Sequence, residues 1–473
     1  MSAIHAPFRR AFVCCVLVAA AFRLCCPTTT SAAEAPRDAV QMTLDLLGRD
    51  DAGFRSIGLD RVRHGLEGAD ATRQVAALLT KVPPARQVEL VAALADRGDA
   101  AALPAVLALL QGSQDAILRA AAIDAIGGLG SGQEVAVLKR SLAAADPEKA
   151  AARRALTKLR GTDVTTALVE AAKAGEPALR PVFIDILADR RASAALPELV
   201  AAAVDADAAV RSSAMRALAQ MGGPEQVPGM VRGLLKAAAG GERDAAERAV
   251  VTVCTRAAGK DRATALFLEQ FKAADDTARE ALLPALGRVG GAEALAVVDG
   301  LVANADAAKR KLGLTALTRW PDATVAPRIL DLLGKASDAG ERELLLGSLI
   351  RIAPLPDNKL DDKQKLELLG KTMSLCQRDE DRSRVLERAN AIRTVETLRF
   401  VVPYLDNPTL VEPACLSVVE LAHHRNLRDA HKEEFIKALD KVIAKTKNAE
   451  LTERAERYKQ GQTWERKKPG AKS

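Results

Sequence analysis

Apolar positions in this chain come in paired runs at helical spacing. Between residues 115 and 144, Ala121, Ala122, Ile123, Ala125 and Ile126 form one run, and Val135, Val137, Leu138 and Leu142 form a second. Each run predicts a helix with one apolar stripe. The stretch Gly127-Gly128-Leu129-Gly130 lies between them, and its glycines predict a helix stop through a left-handed turn. The same pair returns as Ala214, Met215, Ala217 and Leu218, then Gly222-Gly223, then Val227, Met230, Val231, Leu234 and Leu235. It returns again as Leu282, Leu283 and Leu286, then Gly290-Gly291, then Leu295, Val297, Val298 and Leu301. After Leu314 and Leu317, Trp320-Pro321 replaces the glycines ahead of Val325, Ile329 and Leu332. No segment alternates with the two-residue period of a strand. The pattern predicts an all-α chain of helical hairpins from about residue 38 to about residue 447.

The polar positions repeat with the apolar ones. An acid followed four residues later by arginine occurs at Asp115/Arg119, Glu176/Arg180, Asp207/Arg211, Asp244/Arg248, Asp275/Arg279, Asp306/Arg310, Asp338/Arg342 and Glu380/Arg384. Asp146 fills the missing step, with Ala150 in the arginine position. The acid predicts a helix N-cap, and the arginine, one turn on, a same-face partner for it. A step of about 31 residues is the signature of a repeat architecture, in which each unit buries its apolar face against its neighbours. The fold expected is therefore an α-solenoid, a superhelix of roughly 11 or 12 stacked antiparallel helix pairs.

The unit just described is an Asp-x-x-x-Arg start, a small-apolar helix, a Leu-Gly turn and a second helix ending in Leu-Leu. It resembles the short HEAT-like repeats of the phycobilisome-lyase type, over residues 84–350 and more loosely over 380–445. The chain is also similar to alanine-rich, exported bacterial HEAT-repeat proteins of unknown function. The resemblance implies a fold and says little about activity, because such repeats serve unrelated proteins. The Thr-Pro-Leu-His of ankyrin repeats and the Trp/Gly/Tyr/Pro pattern of tetratricopeptide repeats are both missing.

Composition sharpens this picture at the ends. Arg9-Arg10 precede an apolar run from Ala11 to Leu24, and Ser31-Ala32-Ala33 offers a cleavage site before Glu34. That order predicts a secretory signal peptide, with an uncleaved anchor as the alternative. Export to the periplasm, cell envelope or extracellular space follows from it as an expectation. The formal charge of +7 is carried by the two ends: Arg9, Arg10 and Arg23 in the leader, and seven basic against three acidic residues from Leu451 onward. The body is near neutral, and aromatic residues make up 3% of the chain. Both facts disfavour nucleic-acid binding. The organisation expected is a signal peptide at 1–33, an N-terminal helical cap region at 34–82 and the repeat array at 83–353. An insertion loop with looser repeats follows at 354–447, and a basic disordered tail at 448–473.

Candidate chemistry is sparse. Outside the leader the cysteines are Cys254, Cys376 and Cys415, an odd and widely spaced set that reads as small buried residues. His423, His424 and His431 lie near Asp429, Glu433 and Glu434 but match no zinc-ligand spacing. They read as loop and helix-start residues. No phosphate loop, nucleophile elbow or His-Glu-x-x-His motif is present. Neither a catalytic residue nor a cofactor or metal site is expected, and the partner-binding residues stay unassigned. Two places stretch the period, Ala237–Glu242 and Pro354–Asp362, and read as edge loops. The function expected is a non-enzymatic scaffold that binds a protein or peptide along one face of the solenoid. The alternatives are an accessory, chaperone-like lyase related to the phycobilin enzymes, or a nucleic-acid-binding HEAT-like protein.

Overall fold

The computed structural model describes residues 38–256, 258–356 and 359–464. Among these residues every regular element is an α-helix or a short 3-10 helix, and no strand is present. The fold is an all-α solenoid. The leader, including Arg9-Arg10 and Ser31-Ala32-Ala33, lies outside the described residues, as do Asp357, Asn358 and the tail from Glu465. No helix of the described residues is long and apolar enough to cross a membrane.

The chain resolves into two compact units, divided between Ala105 and Val106. In the first, helices Ala39–Gly48, Ala52–His64, Ala69–Ala76 and Pro84–Arg97 follow one another. Val62, Val75, Val91 and Leu94 are fully buried in its core. Arg97 ties this core at its end, donating from Nε to Thr72 Oγ1 at 2.7 Å and from a terminal nitrogen to the Leu66 carbonyl at 2.5 Å.

The second unit is a run of helical hairpins. Its first helices include Ala116–Leu129, Glu148–Lys158, Arg180–Asp189, Ala208–Met221, Gly241–Thr255, Asp276–Val289, Ala307–Leu317 and Ala339–Ile352. Consecutive first helices pack on one another, and each second helix packs on the first helix of the next hairpin. Alanine sets the spacing of these contacts. Ala151, Ala152 and Ala155 of Glu148–Lys158 are completely buried, which brings that helix close to Ala116–Leu129. At the crossing, a Cβ on Gly127 would lie 2.6 Å from the Ala155 Cα. Gly127 therefore serves helix packing. The helix does stop within the glycine stretch, but the expected left-handed turn is corrected: the helix runs on to Leu129 and is capped by Gly130 with φ −91 in extended backbone. Gly222 ends its helix the same way, with φ −66, whereas Gly290 ends its helix at φ 70.

The expected disordered tail from residue 448 is corrected as well. Helix Ala449–Lys459 buries Leu451, Ala455 and Tyr458 and packs on the preceding helix Lys432–Lys445 and on Val411–His423. The apolar spacing of Leu451, Ala455 and Tyr458 on one helical face is the cause, and the charges around it are the solvated side of a terminal capping helix.

Candidate partner-binding surface

The arginine ladder is the most regular polar feature of the second unit, and its chemistry differs from the same-face pairing expected. Five of the acids act as caps: Asp115 Oδ1 accepts from the Ile117 and Leu118 amides, and Asp207, Asp275, Asp306 and Asp338 likewise cap their helices. Glu176 lies ahead of its helix, and Asp244 and Glu380 lie inside theirs, so these three are not the caps expected. The arginines turn away from them. Arg119 donates back to the Leu110 carbonyl at 2.7 Å, at the end of the previous second helix, and forward to both oxygens of Glu148 at 2.8 and 3.0 Å. Arg211 donates back to the Asp205 and Ala206 carbonyls and forward to Glu242 at 2.8 and 3.0 Å. Arg180 reaches the Ala172 carbonyl and Asp205, and Arg310 the Val302 carbonyl and Glu341. One guanidinium thus satisfies C-terminal carbonyls that a helix leaves open and clamps the neighbouring hairpin with a charge-assisted fork.

Two steps are shifted in register. Arg243 fills the place expected of Arg248, donating to the Ala237 carbonyl at 2.8 Å. Arg382 fills the place expected of Arg384, donating to the Cys376 carbonyl at 3.1 Å. The stretch Ala237–Glu242 is consequently no insertion loop. Glu242 is the clamp of Arg211 and also accepts from the Ala238 amide at 3.0 Å. The additional residues lie in long helices, Gly241–Thr255 and Lys260–Ala273. Of the stretch Pro354–Asp362, Asp357 and Asn358 lie outside the described residues; near its end, Asp361 forms a capping box with Gln364 at the start of helix Asp362–Leu375.

A second ladder was not read from the sequence. Arg97, Arg190, Arg256 and Arg351 each cap the C-terminal end of a helix one repeat earlier, at Leu66, Leu156 and Thr157, Ala219 and Gly222, and Thr318 and Trp320. Burial draws the Arg190 and Arg351 pKa values down. The signal available was an arginine closing the first helix at a spacing close to the repeat length, hidden among the many other arginines of the chain.

The candidate chemical residues are spread and internally occupied. Burial raises the thiol pKa to about 12 at Cys254, about 11 at Cys376 and about 12 at Cys415, so none is a ready nucleophile. His423 Nδ1 bonds the Tyr458 hydroxyl at 2.8 Å, and His424 stands edge-on to His423. His431 is the residue before helix Lys432–Lys445. Glu247, nearly fully buried, is held by Arg288 and Arg319 at 3.2 Å each. Among the described residues no group of three or more His, Cys, Asp or Glu side chains is placed to hold a metal.

What remains open is a set of grooves between neighbouring hairpins. One of about 280 Å³ lies between Ala208–Met221 and Gly241–Thr255, lined by Arg211, Met215, Arg216, Arg248 and Thr252. A second of about 180 Å³ is lined by Lys173, Arg180, Ile184, Leu199, Ala202 and Asp205. A third of about 480 Å³ is lined by Phe271, Lys272, Arg279, Leu301, Asn304 and Lys309. The last two occupy equivalent places in different repeats: a constant offset relates Lys173 to Lys272, Arg180 to Arg279, Ala202 to Leu301 and Asp205 to Asn304. Each groove has an apolar wall and a ladder arginine at its edge.

Comparison with known proteins agrees with the repeat type. Residues 165–251 match the family model for HEAT repeats. No curated protein matches the chain. Solved structures similar to it include the karyopherin Kap121p bound to the SUMO protease Ulp1p, at 12% identity and a TM-score of 0.47, covering 89% of this chain and 52% of that one. Importin beta is similar at 13% identity and a TM-score of 0.39, with 89% of this chain and 61% of that one covered. Human deoxyhypusine hydroxylase is similar at 22% identity and a TM-score of 0.23, with 60% and 94% covered. The chain spans about half the length of the karyopherin structures it matches.

Proposed function

We propose that this HEAT-repeat protein is an exported, non-enzymatic scaffold that binds a protein or peptide partner in the grooves between its repeats. The observation that carries the reading is the recurrence of the grooves at equivalent places. Catalysis needs one constellation of groups, whereas a repeated groove gives a surface whose affinity is spread over several units. The ladder carboxylates support it, since they are spent on caps and interhelical clamps. Export rests on the order of Arg9-Arg10, the apolar run to Leu24 and Ser31-Ala32-Ala33.

Deletion of residues 207–274 tests this function. Asp207 is the cap of Ala208–Met221, and Ala274 closes Lys260–Ala273. The cut therefore removes two whole hairpins and brings Asp275, itself a helix cap, into the place of Asp207. Circular dichroism should report unchanged helicity per residue, and capture of the partner from the native cell envelope should be lost. Turnover of ester, peptide or glycoside substrates by the purified full chain would overturn the non-enzymatic reading.

A further inference from the structure

The groove at Arg279 is a ladder step whose internal carboxylate is missing. At the equivalent step, Arg180 is held by Asp205, with a nitrogen–oxygen distance of 2.5 Å. Asp205 has two duties there: its Oδ1 also accepts the Asp207 amide at 2.9 Å, shaping the turn into the next hairpin. Asn304 stands at that place in the Arg279 groove and keeps the second duty, its Oδ1 accepting the Asp306 amide at 2.9 Å. The turn is preserved and the negative charge is gone.

The consequence is visible in the arginine. Arg279 still reaches the Phe271 and Lys272 carbonyls, at 3.3 and 2.7 Å. Its one ion pair among the described residues is with Asp276 of its own helix, at 3.4 Å, and that carboxylate is 87% exposed. The Arg279 side chain is 43% exposed, against 19% for Arg180 and 10% for Arg211. Lys309, also lining the groove, occupies the place of the buried Val210 and adds a second positive charge. Lys272 lines the groove too but is paired with Glu293 at 2.8 Å, and the lining also carries two carboxylates of the Arg279 helix, Asp276 and Glu280, against Arg279 and Lys309. Leu283, Val297, Leu301 and Leu312 form the apolar wall. The volume of about 480 Å³ falls within the range of pockets that hold ligands, and the smaller groove with the intact Arg180–Asp205 clamp shows what closure by an internal carboxylate looks like.

We propose that this groove binds an aspartate or glutamate side chain of an extended partner peptide, which supplies the carboxylate that Asn304 lacks while an adjacent apolar residue of the peptide covers the leucine wall. The proposal rests on the scaffold reading and names the chemistry of its partner. Arg279 would grip the carboxylate in the fork geometry of the other ladder steps, with Lys309 as the supporting charge.

The test uses the full-length chain and arrays of short immobilised peptides carrying an acid flanked by leucine or phenylalanine, each beside its amide isostere. The wild type should prefer the acid. Asn304→Asp restores the internal carboxylate, and in solution anisotropy measurements it should weaken the selected peptide by about tenfold or more while raising the denaturant midpoint. That rise shows the variant folded and its new pair formed. Arg279→Met should weaken the same peptide. No acid preference, or a preference that Asn304→Asp leaves intact, overturns the proposal. Hexanoate competing as strongly as the peptide would make this a small-carboxylate site and overturn the peptide as occupant. Equal capture of a native partner by wild type and Asn304→Asp would sink this groove and leave the scaffold standing. A wild-type chain that captures no partner would sink the scaffold and, with it, the peptide.

Discussion

A single arginine type does two structural jobs here, and the environment decides how much each is worth. Arg211 is 8% exposed, caps two carbonyls and forks onto Glu242. Its loss leaves a half-buried carboxylate and two open carbonyls of the turn at Asp205 and Ala206, so Arg211→Ala should destabilise the chain by roughly 2–4 kcal/mol. Arg279 also donates to two carbonyls, but its one ion partner among the described residues, Asp276, is exposed, so Arg279→Ala should cost less, about 1 kcal/mol. Denaturant melts that reverse this order would contradict the clamp. The same pairs set an acid limit. Hydrogen bonding to Arg180 and to Arg211 holds Asp205 and Glu242, respectively, below the ordinary carboxylate range. A carboxylate with a depressed folded pKa stabilises fully above its unfolded value and loses that contribution as pH falls through the folded one. Stability should therefore drop from about pH 4 downward, and Glu242→Gln should make the drop shallower in melts recorded across that window.

At the scale of helices, contact between repeats depends on how closely two backbones approach. Gly127 faces Ala155, and Gly287 faces Ala316 in the same way, with an added Cβ falling 2.1 Å from the Ala316 carbonyl oxygen. Neither neighbour is a flexible side chain that could swing aside, so the helices themselves must separate. Gly127→Ala should cost about 1–3 kcal/mol by overpacking, although alanine is the better helix former. Gly128→Ala, one residue on in the same helix, is the comparison. A thermal melt in which Gly127→Ala is neutral or stabilising would show that this crossing is looser than described. Glycine here is read correctly only when its helix partner is known.

At the scale of the whole molecule, the leader order predicts a mature N-terminus near Glu34, which N-terminal sequencing of protein from the native envelope would check; an intact Met1 in the cytoplasm would contradict export. The repeat period, helical class and caps at Asp115, Asp207, Asp275, Asp306 and Asp338 were legible in the sequence, because they depend on residues within one or two turns of each other. The burial of Cys254, Cys376 and Cys415 was legible too, from their odd number and wide spacing on helical segments. The partners of the ladder arginines were not. Arg119 to Glu148 and Arg211 to Glu242 are pairs across neighbouring hairpins, and a long, flexible side chain can reach several carboxylates that sequence spacing ranks alike. Nor could the register at Arg243 and Arg382, the packing role of Gly127, or the docked helix Ala449–Lys459 be settled without knowing which helix lies opposite. The open groove at Arg279 belongs to this second class. Asn304 is an ordinary turn residue in the sequence, and becomes a missing charge only when the tertiary structure sets Arg279 and Asn304 in one groove and shows Asp205 filling the same place three repeats earlier. Sequence alone determined the repeat and its helices, through local propensity and periodicity; tertiary packing decided which charges meet, because that is fixed by the stacking of one hairpin on the next.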